Sequence, residues 1–98
     1  VRAVRVRFDD LGEWAGSALF SEYDPETETI AVNLRVLRRL RATHGARFAT
    51  RFATCAVLHE LHHVRVPGAS EASAHIFAHA ACGDDPRIFE AALRGASR

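Results

Sequence analysis

Residues 59 to 63 read HELHH. On a helix, a His-Glu-x-x-His spacing sets the first and last imidazoles one turn apart on the same face, so both can reach one metal ion. Zinc suits such donors: it takes imidazole nitrogens at about 2.0–2.1 Å and, in catalytic sites, keeps three protein ligands with water in the remaining position. His59 and His63 supply two of those ligands, and Glu60, projecting from the same turn, is placed to accept a proton from the water. A third ligand has to come from elsewhere in the chain.

The segment that follows offers two candidates. Pro67-Gly68 stops the motif helix, Ser70 can cap the next one, and EASAHIFAHAAC runs helically to Gly83. Two helices folded back about Pro67 bring into register residues equally far from that apex, so Glu71 falls level with His63 and His75 with His59. Glu71 also opens its helix, where a carboxylate interacts favourably with the helix dipole. His75, one turn on, is either a hydrogen-bonding residue that orients His59 or Glu71, or the third ligand itself.

VLHELHH followed by SEASAHIFA resembles the gluzincin metallopeptidases, the thermolysin-like group whose third zinc ligand is a Glu on the helix after the motif helix. The same stretch is similar to the catalytic segment of ImmA/IrrE-type zinc peptidases and of single-domain minimal gluzincins. The likeness covers about half the chain: the two helices well and the upstream strand ETIAVN loosely. It implies a zinc-dependent metallopeptidase of zincin-like fold, with His59, His63 and Glu71 on Zn2+ and Glu60 activating the water. It also implies that the strand near Ile30 is the edge along which an extended substrate pairs. Two departures stand out. The residue four after the ligand Glu is usually Asp and is His75 here, and only seven residues separate His63 from Glu71, which leaves no room for the insertions that usually shape a specificity pocket.

Elements to position this site can be read along the rest of the chain. Val4, Val6 and Phe8 alternate with Arg5 and Arg7 as in a half-buried strand, and the two runs around Asp24-Pro25 read as a strand hairpin over residues 17 to 33. Asn33 can cap a helix that carries Leu34, Leu37 and Leu40 along one side and breaks at His44-Gly45. The motif helix then spans Ala46 to about Val64, with Phe48, Phe52, Cys55, Ala56, His59 and His63 on one face. A last helix begins near Pro86, capped by Asp84 or Asp85, with Ile88, Phe89, Ala92 and Leu93 on its apolar side. The order predicts one α+β domain over residues 1–98: a mostly antiparallel sheet of about three strands, then about four helices.

Composition narrows the function classes. Ninety-eight residues suffice for one domain with a modest core. The formal charge is +1, with 13 basic residues against 12 acidic ones, so no strong field points to nucleic acid or to an anionic membrane. All the basic residues are Arg, which reads as codon bias. No apolar run is long enough to span a bilayer and no secretory leader is visible, so a cytoplasmic protein is expected, a monomer or weak dimer acting on a peptide or protein substrate. Cys55 and Cys82 are expected to be small buried thiols.

The remaining histidines and the tyrosine read as structural. His62 is taken as solvent-facing or contacting a lid, His79 as packing or surface, His44 as a helix-terminal residue, and Tyr23 as a strand-end residue. An alternative to the peptidase is a zincin-like domain that binds metal without hydrolysing anything and serves as a binding or regulatory module. A site closed by His75 as a fourth ligand favours that alternative.

Overall fold

A computed structural model describes residues 4–14, 17–18, 20–84 and 86–96. The chain runs β1 (Arg5–Asp9), β2 (Glu13–Trp14), β3 (Ser17–Ala18), β4 (Ser21–Asp24) and β5 (Thr29–Asn33), then α1 (Leu34–His44), α2 (Ala46–Arg65), α3 (Glu71–Cys82) and α4 (Pro86–Ala96). Strands precede helices, as the sequence predicts. Asp85 and the side chain of Leu93 lie outside the described residues.

The predicted hairpin is β4–β5, paired antiparallel from Ser21↔Val32 to Asp24↔Thr29 across the turn at Pro25. The sheet as a whole is mixed, not mostly antiparallel. Its order is β1-β5-β4, and β1 runs parallel to β5 with Val6 opposite Ile30. A parallel neighbour needs a crossover, and the chain between β1 and β5 supplies it through the small β2–β3 ladder and β4. Ile30 therefore lies on the central strand, with all five residues of β5 buried. It cannot be the substrate-pairing edge; among the described residues the edges are β1 and β4.

The expectation for β1 also fails. All five of its residues are exposed, with Val6 at 45% and Phe8 at 51%, because the helices pack mainly over β5 and β4 and leave this edge uncovered. Alternation marks a strand; it does not say what covers it.

Asn33 ends β5 and starts α1. Its side-chain oxygen accepts from the Arg35 and Leu11 backbone N–H groups, each at 3.1 Å, while its amide donates to the Gly12 carbonyl. One buried side chain thus caps α1 and fixes the segment after β1. In α1 the fully buried residues are Val36 and Leu40, with Leu37 packed beside them. Together with Val32, Ala49, Phe52, Cys55, Ala56 and Phe89 they form the core. Phe52 is its hinge pin, edge-on to Phe20 at 5.2 Å and to Phe89 at 5.5 Å. Each such ring contributes about 1.5–3 kcal/mol by leaving water.

The reversal between α2 and α3 is tight. Gly68 has φ of +82°, a left-handed conformation that glycine adopts without steric cost, and the Ala69 N–H closes the turn on the Val66 carbonyl at 3.0 Å. Ser70 then caps α3, accepting from the Ser73 N–H at 3.0 Å. No helix among the described residues is long and apolar enough to cross a membrane.

Candidate metal centre

Helix α2 carries His59, Glu60 and His63 in its last two turns, and α3 carries Glu71 in its first turn and His75 in its second. The tight turn folds these segments together. The Glu71 carboxylate sits between the motif imidazoles, with Oε2 3.0 Å from His59 Nε2 and Oε1 2.9 Å from His63 Nε2. His75 packs beside His59, ring centroids 4.8 Å apart, and the donor atoms of His59, Glu71 and His75 all lie within 4.8 Å of one another. Counting outward from Pro67 therefore found both facing residues. Glu71 touches His59 at 3.0 Å while His75 lies within 4.8 Å of both, so the alternatives for His75 both survive.

The four side chains differ in access. His59 and His63 are largely buried, whereas Glu71 is 74% exposed and His75 is exposed. The cluster thus has a protein side on α2 and a solvent side on α3. Burial holds the His59 ring below the ordinary histidine range, with the Glu71 carboxylate pulling the other way. That favours the neutral imidazole, the form with a lone pair to give. The His63 Nε2 atom is buried and, although close to Glu71, lies outside hydrogen-bond geometry, so it has no hydrogen-bond partner. A buried nitrogen in that condition needs an explanation.

Glu60 is buried at 7% exposure. Desolvation pushes its carboxyl above the usual carboxylate range, against the hydroxyl of Ser21, which donates to Oε1 at 3.0 Å. The His59 ring nitrogen is 4.0 Å from the same oxygen. Behind the cluster opens a pocket of about 320 Å³. Ser21, Glu60, His59, Glu71 and His75 form its polar side, and Phe20, Phe52, Ala56, Ala78 and Phe89 form its apolar wall.

Ser21 lines the pocket and bonds Glu60, and the sequence reading missed it. A serine on β4 opposite the core residue Val32 is a polar group at an inward position, and that is the signal that marks it. Phe20 and Phe89 reach the pocket from distant elements and carry no local signal.

The thiol reading of the cysteines is overturned, because Cys55 and Cys82 form a disulfide between α2 and α3. Symmetric counting from Pro67 sets Cys55 against His79. A helix, however, returns the same face every 3.6 residues, and the row 71, 75, 78, 82 brings Cys82 round instead. His79 is exposed, as expected of a surface residue.

His62 is half-buried: it exchanges a hydrogen bond with Ser73 Oγ at 2.8 Å and stacks on Phe77, so it pins α3 to α2. His44 bonds to Thr43 and stacks on Phe48, and Tyr23 stands opposite Ile30 in the hairpin. Asp84 gives its carboxylate to Arg51 of α2.

No protein-family model, curated protein or solved structure matches the chain. What the site does must be argued from its chemistry.

Proposed function

We propose that the chain is a zinc-dependent metallopeptidase with His59, His63 and Glu71 as metal ligands and Glu60 as general base. The observation that carries this reading is a buried carboxylate beside a His/Glu cluster at the mouth of a pocket. The donor set fits a divalent cation of borderline character: two largely buried imidazoles and a carboxylate. In this reading the same ion engages His63 Nε2, which is 2.9 Å from Glu71 but makes no hydrogen bond. Bound there, the metal would polarise a peptide carbonyl as a Lewis acid and acidify water.

The chain's own residues do the rest. Glu60, with its affinity for protons raised by burial, takes the proton of the attacking water and passes it to the leaving amine. Ser21 fixes the carboxylate through Oε1, the oxygen 4.0 Å from the His59 ring nitrogen, and so holds it toward the metal ligands. An extended peptide would pair along β4, the exposed edge that contributes Ser21, and an apolar side chain would enter the pocket between Phe20 and Phe89.

A second reading, a metal-binding domain without hydrolytic activity, is favoured by one observation: His75 stands within ligand distance of His59 and Glu71 and could close the site. The buried Glu60 argues against it. Taking a carboxylate out of water is costly, and a closed structural site gives it nothing to do.

The test begins with metal content of the native chain and of Glu71→Ala. About one zinc per chain, lost in the variant, supports the ligand set; no metal in the folded native chain after zinc addition refutes it. Glu60→Gln should keep zinc and lower peptide hydrolysis by about 10²–10⁴-fold. His75→Ala separates the readings, since it should leave zinc in an open site and strip it from a closed one.

A further inference from the structure

We propose that the Cys55–Cys82 disulfide is a redox clamp on the metal centre, so that its reduction weakens divalent-cation binding; this rests on the metal-site reading above. All four candidate ligands belong to α2 and α3. Near the turn those helices are joined by the short 66–70 connection and by the His62–Ser73 hydrogen bond. At the far end they are joined by the disulfide. His59 and His75 lie between that hydrogen bond and the disulfide, and His63 and Glu71 between it and the turn.

The rest of the contact is made by small side chains and one ring stack, His62 on Phe77. The buried residues of α3 are Ala74 and Ala78, small side chains that withdraw little apolar surface from water. The Arg51–Asp84 pair, two hydrogen bonds to a buried carboxylate, also ties the segment after α3 to α2 and keeps the end of α3 near α2 when the disulfide is open. Reduction therefore loosens α3 without releasing it. Glu71 and His75, on the helix that loosens, lose their fixed distance to His59 and His63.

The bond is also reachable. Cys55 lines the same pocket as His59 and His75, and Cys82 is half-buried. A small dithiol would be the reductant. One of its thiolates attacks Cys82 Sγ, Cys55 leaves as thiolate, and the second thiol of the reductant then displaces Cys82. Two electrons and two protons pass to the cysteines, and the reductant leaves as its own disulfide.

The test compares zinc affinity, by competition with a chelating dye, for the oxidised full chain and Cys55→Ala/Cys82→Ala, with helix content checked by circular dichroism. The variant has no thiols that could bind zinc themselves. Binding about tenfold weaker in the variant is expected, within the usual range of coupled sites. Equal affinities overturn the clamp and leave the metal site standing, whereas no zinc on the oxidised native chain removes the metal site and the clamp with it.

Should that variant fail to fold, Cys55→Val/Cys82→Ala, which refills the buried Cys55 position, is titrated in the same way. About tenfold weaker zinc binding is again expected, and an affinity equal to that of the oxidised native chain overturns the clamp.

Discussion

The two ends of the α2–α3 pair are made of opposite materials. Toward the turn, the helices meet through imidazoles, a hydroxyl and a carboxylate that is 74% exposed. Toward the far end they meet through a disulfide beside Phe52 and Phe89, in the buried core. Burying the Glu60 carboxylate and the His63 nitrogen costs stability. Apolar burial and a covalent link at the far end offset that cost. The same two helices are thus polar and strained by buried charge at one end and apolar and cross-linked at the other, the division expected if the proposed function draws on stability made elsewhere.

The largest predicted effect tests the rigid end. Phe52 is 1% exposed and packs edge-on against two other rings, so Phe52→Ala should cost about 3–5 kcal/mol. That is a large share of the 5–15 kcal/mol typical of a domain. Urea unfolding of the metal-free protein measures it. A loss under about 1 kcal/mol, the size of a single net hydrogen bond, would mean that the far end is not the source of stability.

Glu60→Gln, of intermediate size, sharpens the contrast from the other side. Burial raises the folded-state pKa of Glu60 above its unfolded value near 4.5, although the Ser21 hydroxyl and a protonated His63 act in the opposite sense. The folded state then holds this proton to higher pH than the unfolded state does. Stability is therefore full below the unfolded value, falls as pH rises through the window up to the raised folded value, and stays lower above it. Glutamine removes the penalty and can still accept from Ser21. The variant should melt above the native metal-free protein at neutral pH, and the gap should close in acid. An equal or lower melting temperature at neutral pH would show that Glu60 costs the fold nothing.

The two ends also differ in how far the sequence reveals them. Glu71 and His75 could be found by counting from Pro67, because a tight helical reversal is local and fixes which residues face each other near the apex. Cys82 could not, because equal counting drifts off the helical period as the distance from the apex grows. Asn33 and Ser70 were legible as caps for the same local reason. The sheet was read less well. The period of two in β1 and the turn at Asp24-Pro25 before β5 identify strands, but which strand is central depends on how a crossover is placed. Nothing near Ile30 or Val6 records that β5 is covered on both sides while β1 is bare. Ser21 falls between these cases: its residue type is visible in the chain, whereas its carboxylate partner lies 39 positions away.

The smallest predicted effect tests whether the chemical end is preset by the fold or assembled by the ion. Ser70 caps α3 immediately before Glu71, accepting from the Ser73 N–H. Ser70→Ala should cost about 1 kcal/mol of stability and fray the turn that carries the Glu71 carboxylate. If helical structure presets that carboxylate, part of the loss reappears as weaker zinc binding, up to about fivefold, since 1.4 kcal/mol corresponds to tenfold. Parallel melting and zinc titration read the two quantities separately. A lower melting temperature with unchanged zinc affinity would mean that Glu71 is drawn into place by the metal, so that the near end is organised only when the ion is bound.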